Sequence, residues 1–358
     1  MALKVLFCLA LMLLSASCSS EREAVATATL PYNDWWQVHF TDPASITNLD
    51  GSLAEPLIEL IDNAEHSIHI ASFEFNLTPV AKALIVAHKR GVDVCFVTDD
   101  EYGRETDYEA GHGQFALMEQ AGIEIRDDAR SGLMHNKFWI VDGRIVWTGS
   151  TNITKNGMFR NNNNVVVIES ADVAGIYERE FEELWRGEFG VKSTSTVGLQ
   201  EAIVDSTPIL VLFGAEDDVI SQLVPLIESA QESIRFMAFS FTHNDLGNAI
   251  ATQQALGVSV QGIFETRGSE TAHSELTKIY CAGALVNQDG NPGTFHHKVI
   301  VIDEETVITG SFNFSNNANT RNDENLIVIT NKDIADLYLQ EFDRRFAESR
   351  LPRVECPP

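Results

Sequence analysis

The chain has 358 residues, enough for two domains of ordinary size, and its 44% hydrophobic and 22% charged residues mark it as globular and not disordered. It carries 52 Asp and Glu against 25 Lys and Arg, a formal charge of −27. That balance excludes a broad polyanion-binding face, because phosphates need many basic contacts; any basic site has to be local and set in a repelling field.

The opening segment "MALKVLFCLALMLLSASCSS" reads as an export signal. Lys4 gives the positive start, and the apolar run from Val5 to Leu14 is too short to span a bilayer. Ser15, Ala16 and Ser17 then mark a cleavage site, so residues 1–17 form the signal peptide. Cleavage after Ser17 leaves Cys18 first. This resembles a bacterial lipoprotein signal, in which Cys18 is acylated, although Ser15 stands where leucine is usual. The plainer alternative is an exported protein with an unmodified Cys18. Residues 18–34 follow as a tether.

The next predicted elements recur in order. "VHF" at 38–40 is an entering strand. "SIHIASFEF" alternates and is rich in β-branched and aromatic residues, a strand. "PVAKALIVAHKRG" has helical spacing and ends at Gly91; "VDVCFVTD" is a strand holding Cys95, read as a small buried side chain; "QFALMEQAG" is a helix stopped by Gly122. "HNKFWIVDG" and "RIVWTGS" are strands joined at Asp142-Gly143, a hairpin dipeptide. "ADVAGIYEREFEELWRG" is an amphipathic helix that closes a first domain at 35–186. Residues 187–206, rich in Ser, Thr and Gly, read as a linker. A second domain at 207–350 repeats the order from "VLF" at 211–213, and 351–358 is a tail. Alternating strands and helices predict a mixed α/β sheet covered by helices. Cys281 and Cys356 are a conceivable disulfide pair in an oxidising compartment.

The two domains are copies. "MHNKFWIVDGRIVWTGSTN" at 134–152 aligns with "FHHKVIVIDEETVITGSFN" at 295–313, a shift of 161, while "SIHIASFEF" aligns with "SIRFMAFSF" at a shift of 166. The first copy therefore holds five extra residues, in the loop after Asp99. Each copy places a histidine and a lysine two apart, so that on a strand both point to one face: His135 with Lys137, His296 with Lys298. Asp142 and Asp303 have the opposite parity, which favours a structural role at the hairpin turn. His297 points away from His296 and is expected to be packed or solvated. "GHGQFA" at 111–116 fits a dinucleotide fingerprint in letters only, since no apolar strand precedes it.

These residues carry a resemblance to the phospholipase D superfamily, whose signature is His-x-Lys, four residues, Asp, six residues, then Gly-Ser-x-Asn. Both copies are complete: His135, Lys137, Asp142, Gly149, Ser150 and Asn152, then His296, Lys298, Asp303, Gly310, Ser311 and Asn313. The resemblance covers about residues 38–347. It implies two repeated α-β-α sandwich domains packed with pseudo-two-fold symmetry, with one active site between them, so that a monomer is competent. One neutral imidazole would attack phosphorus and the other would protonate the leaving alkoxide. Lys137 and Lys298 would hold the non-bridging oxygens, helped by the amides of Asn152 and Asn313. Ser150, Ser311 and Asn163 are placed as substrate contacts, and Asp142 and Asp303 are counted with the catalytic signature. No metal or cofactor is implied, and the sequence has neither His-Glu-x-x-His nor Cys-x-x-Cys.

In the family an acidic residue often follows the motif and orients the histidine. At 28 residues past each histidine stand Asn163 and Glu324. The expectation is that Glu324 backs His296 and favours its charged, acidic form, while Asn163 backs His135, the nucleophile. The acidic balance and the export signal favour a phospholipid membrane substrate, cut to phosphatidic acid or transferred to another alcohol. An exported nuclease acting on nucleic acid is the alternative, and a non-catalytic binding module on the same fold is the third reading.

Overall fold

The computed structural model describes residues 35–43, 48–195, 198 and 200–356. The export signal, the tether and Cys18 lie outside the described residues. The first half runs β1 (Trp36–Phe40), α1 (Ala54–Asn63), β2 (Ser67–Ser72), α2 (Thr78–Arg90), β3 (Asp93–Thr98), α3 (Gln114–Gln120), β4 (Glu124–Asp127), β5 (Lys137–Val141), β6 (Ile145–Gly149), α4 (Lys155–Phe159), β7 (Asn164–Glu169) and α5 (Ala171–Trp185). The second runs β8 (Glu201–Val204), β9 (Thr207–Phe213), α6 (Val219–Glu228), β10 (Ser233–Ala238), α7 (Asn244–Leu256), β11 (Ser259–Phe264), α8 (Leu276–Cys281), β12 (Leu285–Gln288), β13 (Lys298–Ile302), β14 (Thr306–Gly310), α9 (Asn316–Thr320), β15 (Asn325–Thr330) and α10 (Lys332–Glu348).

The sheets have orders β1-β7-β6-β5-β2-β3-β4 and β8-β9-β15-β14-β13-β10-β11-β12. Strand for strand they are the same sheet, with β8 added to the second. In each, the strands joined by helical crossovers (β2, β3, β4; β10, β11, β12) are parallel, and the motif hairpin pairs antiparallel beside them. The linker is the main departure from the predicted order. "EAIV" forms β8, and Asp205 and Ser206 turn it back on β9 with both residues at positive φ. A turn of this shape favours Gly or Asn, so Asp-Ser hid the hairpin. The helices α1, α4, α6 and α9 and the short strands β4 and β12 were not foreseen either.

One face of each sheet carries its own helices, α1 to α3 or α6 to α8. The other faces share one core. It runs from Phe138, Val146 and Val166 of the first sheet through Tyr177 and Phe181 of α5 to Phe213, Val299 and Ile327 of the second, with Tyr338 and Phe342 of α10. The helices α5 and α10 thus lie between the sheets, each packing on its own sheet and reaching the other. The Tyr177 ring meets Phe213 of the second half at 5.7 Å, and Tyr338 meets Phe40 of the first at 5.2 Å. Burying apolar area on both sides of this layer ties the halves into one folding unit. Cys281 and Cys356 form a disulfide that fastens the tail to α8.

The shared layer also buries charge. Glu180 of α5 lies near Glu183, Glu216 and Asp323; burial pushes its carboxyl well above the usual range and raises Glu216 to about 9. The pseudo-symmetric Glu341 meets His297, Arg344 and Arg345 instead, and His297 first, then Arg345, hold it below the ordinary value despite burial. A carboxyl whose folded pKa is raised contributes stability that is full below its unfolded value, about 4.3, and is lost as pH rises through the folded value. Glu216 should therefore make thermal stability fall between about pH 6.5 and 8, a window above histidine titration. Glu216→Gln should flatten that slope in scanning calorimetry, and an unchanged slope would refute the assignment.

Candidate active site

Each motif segment is strapped to the opposite half just ahead of its strand. The His135 N–H donates to the Asp323 carbonyl at 2.9 Å, and the Asp323 N–H to the Leu133 carbonyl at 2.8 Å. In the mirror position the His296 N–H donates to the Asn162 carbonyl at 2.9 Å, and the Asn162 N–H to the Thr294 carbonyl at 2.8 Å. The Lys137 N–H continues the first strap, donating to Asn325 Oδ1 at 3.2 Å. Asn164 and Asn325 cross the axis, donating to Thr309 and Thr148. The motif glycines permit this crowding. A Cβ on Gly149 would stand 2.2 Å from the Asn164 carbonyl oxygen, and one on Gly310 2.2 Å from that of Asn325.

The straps bring His135, Lys137, His296 and Lys298 together, all buried. Both lysine charges bear on both imidazoles, so the four groups share one site. Each imidazole is held through Nδ1 by a residue of the other half. His135 Nδ1 bonds Glu324 Oε2 at 2.6 Å, and His296 Nδ1 bonds Asn163 Oδ1 and the Ser150 carbonyl at 3.0 Å each. The expected partners are thus exchanged: Glu324 backs His135, and Asn163 backs His296. Two repeats place Asn163 and Glu324 equivalently, and only the crossing of the straps decides which ring each one meets.

Ser150 and Ser311 are also corrected. Ser150 Oγ donates to Asn163 Oδ1 at 2.8 Å and Ser311 Oγ to Glu324 Oε2 at 2.7 Å. With Asn163, they hold the histidines from behind and do not line a substrate surface. Asp142 and Asp303, counted with the catalytic signature, sit at the far end of their hairpins. The Asp142 carboxylate accepts the N–H groups of Glu65, His66 and Ser67, and Asp303 those of Gln231, Glu232 and Ser233. Burial pulls the Asp303 carboxyl up, but these three backbone donors pull it further down, below its ordinary value. His297 is packed, between Asn164 and Glu341.

Burial first, then the neighbouring lysines, holds both imidazoles well below the ordinary histidine value. Burial lowers Lys137 to about 8, and burial with the Lys137 charge holds Lys298 well below the ordinary lysine value. Burial raises Glu324 to about 7, against the pull of Lys137. A pocket that holds two ammonium groups and two imidazoles at this cost is tuned for an anion. Lys137 Nζ and Lys298 Nζ each donate to the carbonyl of the preceding histidine, at 2.9 and 3.0 Å.

Phe73 and Phe239 escaped the sequence reading. Phe73 packs edge-on to His135 at 4.7 Å with Lys137 Nζ over its ring at 4.9 Å; Phe239 does the same to His296 and Lys298 at 4.8 Å each. They were legible as the shared Phe in "ASFEF" and "MAFSF". Glu74 was missed too: its carboxylate accepts from Asn152 Nδ2 at 2.7 Å, where the second half has Ser240. The longer loop of the first half lays Tyr102 against Phe73 at 5.1 Å.

Two copied halves that share one His-and-Lys site define the phospholipase D class. A family model described as "Cardiolipin synthase, PLD-like domain" matches residues 57–185 and 223–346. The chain belongs to this phospholipase D-like family. It is 33% identical over 140 residues to the mitochondrial cardiolipin hydrolase of Xenopus laevis, covering 39% of this chain and 64% of that protein. It is 39% identical over 123 residues to the phospholipase D of Rickettsia bellii, covering 34% of this chain and 61% of that protein. The chain therefore spans less than two thirds of the length of these relatives. The phosphatidylserine synthase of Haemophilus influenzae Rd KW20 has the same fold, with a TM-score of 0.63 over 88% of each chain at 14% identity.

Replacing Asp142 by Ala would leave three turn N–H groups without their acceptor, at a cost of about 2–4 kcal/mol. Urea unfolding should show that loss. A change under about 0.5 kcal/mol, the range of ordinary surface substitutions, would mean that the turn does not need the carboxylate.

Proposed function

We propose that this chain is a phosphodiesterase of phospholipase D type that hydrolyses a phospholipid head-group ester to phosphatidic acid through a phosphohistidine, without a metal. The carrying observation is that each imidazole is tied at Nδ1 by the opposite half, which leaves both Nε2 atoms for one substrate. His135 acts as nucleophile. Its Nδ1–H is held by Glu324, whose negative charge offsets the positive charge that the ring gains as Nε2 bonds to phosphorus. His296 has only neutral acceptors behind it, so its proton is the more readily given up. The anionic phosphodiester, entering beside it, supplies the charge that keeps His296 protonated until the leaving oxygen takes the proton.

In the first step the His135 Nε2–P bond forms, the P–O bond to the head group breaks, and His296 protonates the departing alkoxide. In the second step neutral His296 takes a proton from water. The hydroxide bonds to phosphorus, the P–N bond breaks, and His135 returns to its neutral form. Lys137 and Lys298 hold the non-bridging oxygens as charge builds. The family description and the relatives' names, cardiolipin hydrolase and phospholipase D, support a lipid over a polyanion, as does the net charge of −27. An alcohol in place of water at the second step would give transfer.

A p-nitrophenyl leaving group needs no acid. With it, His296→Ala should accumulate phosphohistidine at position 135, visible in the mass spectrum of a quenched digest, and His135→Ala should not. The reverse pattern would exchange the roles. Glu324→Gln should lower kcat about 10²- to 10⁴-fold with little change in KM, by analogy with the loss of an orienting carboxylate behind a catalytic histidine. Product analysis on phosphatidylcholine, phosphatidylglycerol and plasmid DNA with chelator present tests the substrate class; cleavage of DNA alone would replace the lipid reading.

A further inference from the structure

One difference between the two halves beside the shared site concerns the space behind their equivalent strands. In the first half, Asn76 and His112 close the space behind β2: Asn76 Nδ2 meets His112 Nε2 at 3.3 Å, and Asn76 Oδ1 accepts the Lys155 N–H at 3.0 Å. The repeat carries His112 onto His273 and Lys155 onto Asn316, but carries Asn76 onto Thr242. Threonine is too short to make the bridge. A cavity of about 350 Å³ stands open there, lined by Thr242, Asn244, His273, Ser315, Asn316 and Asn317.

This cavity adjoins the chemistry along two chain segments. Thr242 follows Phe239, the ring against His296, by three residues, about 10 Å of extended chain. Ser315 follows the motif residue Asn313 by two, and the Phe314 carbonyl between them accepts the Thr242 N–H at 2.9 Å. The cavity thus belongs to the half that carries His296, the group that would protonate the departing alkoxide. The first half places the Glu74 carboxylate where the second half has Ser240.

The lining selects by chemistry. It presents hydroxyls, amides, an alanine methyl and one imidazole, with no Phe, Tyr or Trp ring and no carboxylate. Lys278, which donates to Asn244 from the edge, is already paired with Glu275. A quaternary ammonium calls for aromatic faces, a second phosphate for unpaired cations and a nucleobase for a stacking ring. Dense neutral donors and acceptors suit vicinal hydroxyls. We propose that this cavity is the leaving-group subsite and that it takes a hydroxyl-rich head group of glycerol size. The proposal rests on the phosphodiesterase reading above.

The test compares kcat/KM on phosphatidylglycerol, phosphatidylcholine and bis(p-nitrophenyl) phosphate. The native protein should favour phosphatidylglycerol over phosphatidylcholine about tenfold, the worth of one or two hydrogen bonds. Thr242→Asn, which imports the closing residue of the first half, should lower the phosphatidylglycerol to bis(p-nitrophenyl) phosphate ratio about tenfold. Adding His273→Ala removes the partner of that asparagine and should restore most of the ratio. Equal rates on both lipids, or a ratio unmoved by Thr242→Asn, overturns the subsite and leaves the phosphodiesterase reading standing. A native protein that cleaves none of the three substrates overturns both.

Discussion

Each half of the molecule finishes the imidazole of the other. Glu324 reaches His135 and Asn163 reaches His296 because residues 133–135 and 323 exchange backbone hydrogen bonds, as do 294–296 and 162. Every feature of the site depends on this exchange. The straps set the height of the rings, the crossing amides of Asn164 and Asn325 fix the register, and the motif glycines let the backbones come that close. A half taken alone would keep its His and Lys and lose the group that orients the histidine.

The shared core makes such a site affordable. Four basic groups sit buried at one place, each pushed toward its neutral form, and the nearby carboxylates, Glu324 first, offset that cost only in part for the lysines. The stabilisation comes from the apolar layer of α5 and α10 between the sheets and from the aspartates that staple the hairpins. Phe73 and Phe239 connect the two scales, since each ring is both a wall of the site and a seat for a histidine and a lysine. The result is a symmetric frame with asymmetric fittings: a carboxylate behind one ring, an amide behind the other, Glu74 against Ser240, and Asn76 against Thr242.

The sequence made the doubled fold, the first strands, the motif hairpins and the four His and Lys residues legible, because each rests on local period or on the repeat itself. The structural role of Asp142 followed from strand parity and is seen in its three backbone partners. What escaped lies across the axis. Duplication makes a contact within a half and a contact between halves look identical in sequence, so Glu324 was matched to the wrong ring. Ser150 and Ser311 were read as facing substrate because the motif names them, although burial and their bonds turn them inward. The β8 strand was lost to a turn written Asp-Ser, and Phe73 and Phe239, though shared by the two copies, were passed over as ordinary apolar strand residues.

The proposed chemistry requires both imidazoles to address one phosphorus atom. A crystal structure of the protein with orthovanadate tests it directly. One vanadate per chain is expected, trigonal bipyramidal, with His135 Nε2 bonded at one apex, His296 Nε2 facing the oxygen at the other, and both lysines on the equatorial oxygens. Two vanadates, one on each histidine, or a single one bound to His135 with His296 turned away, would contradict it.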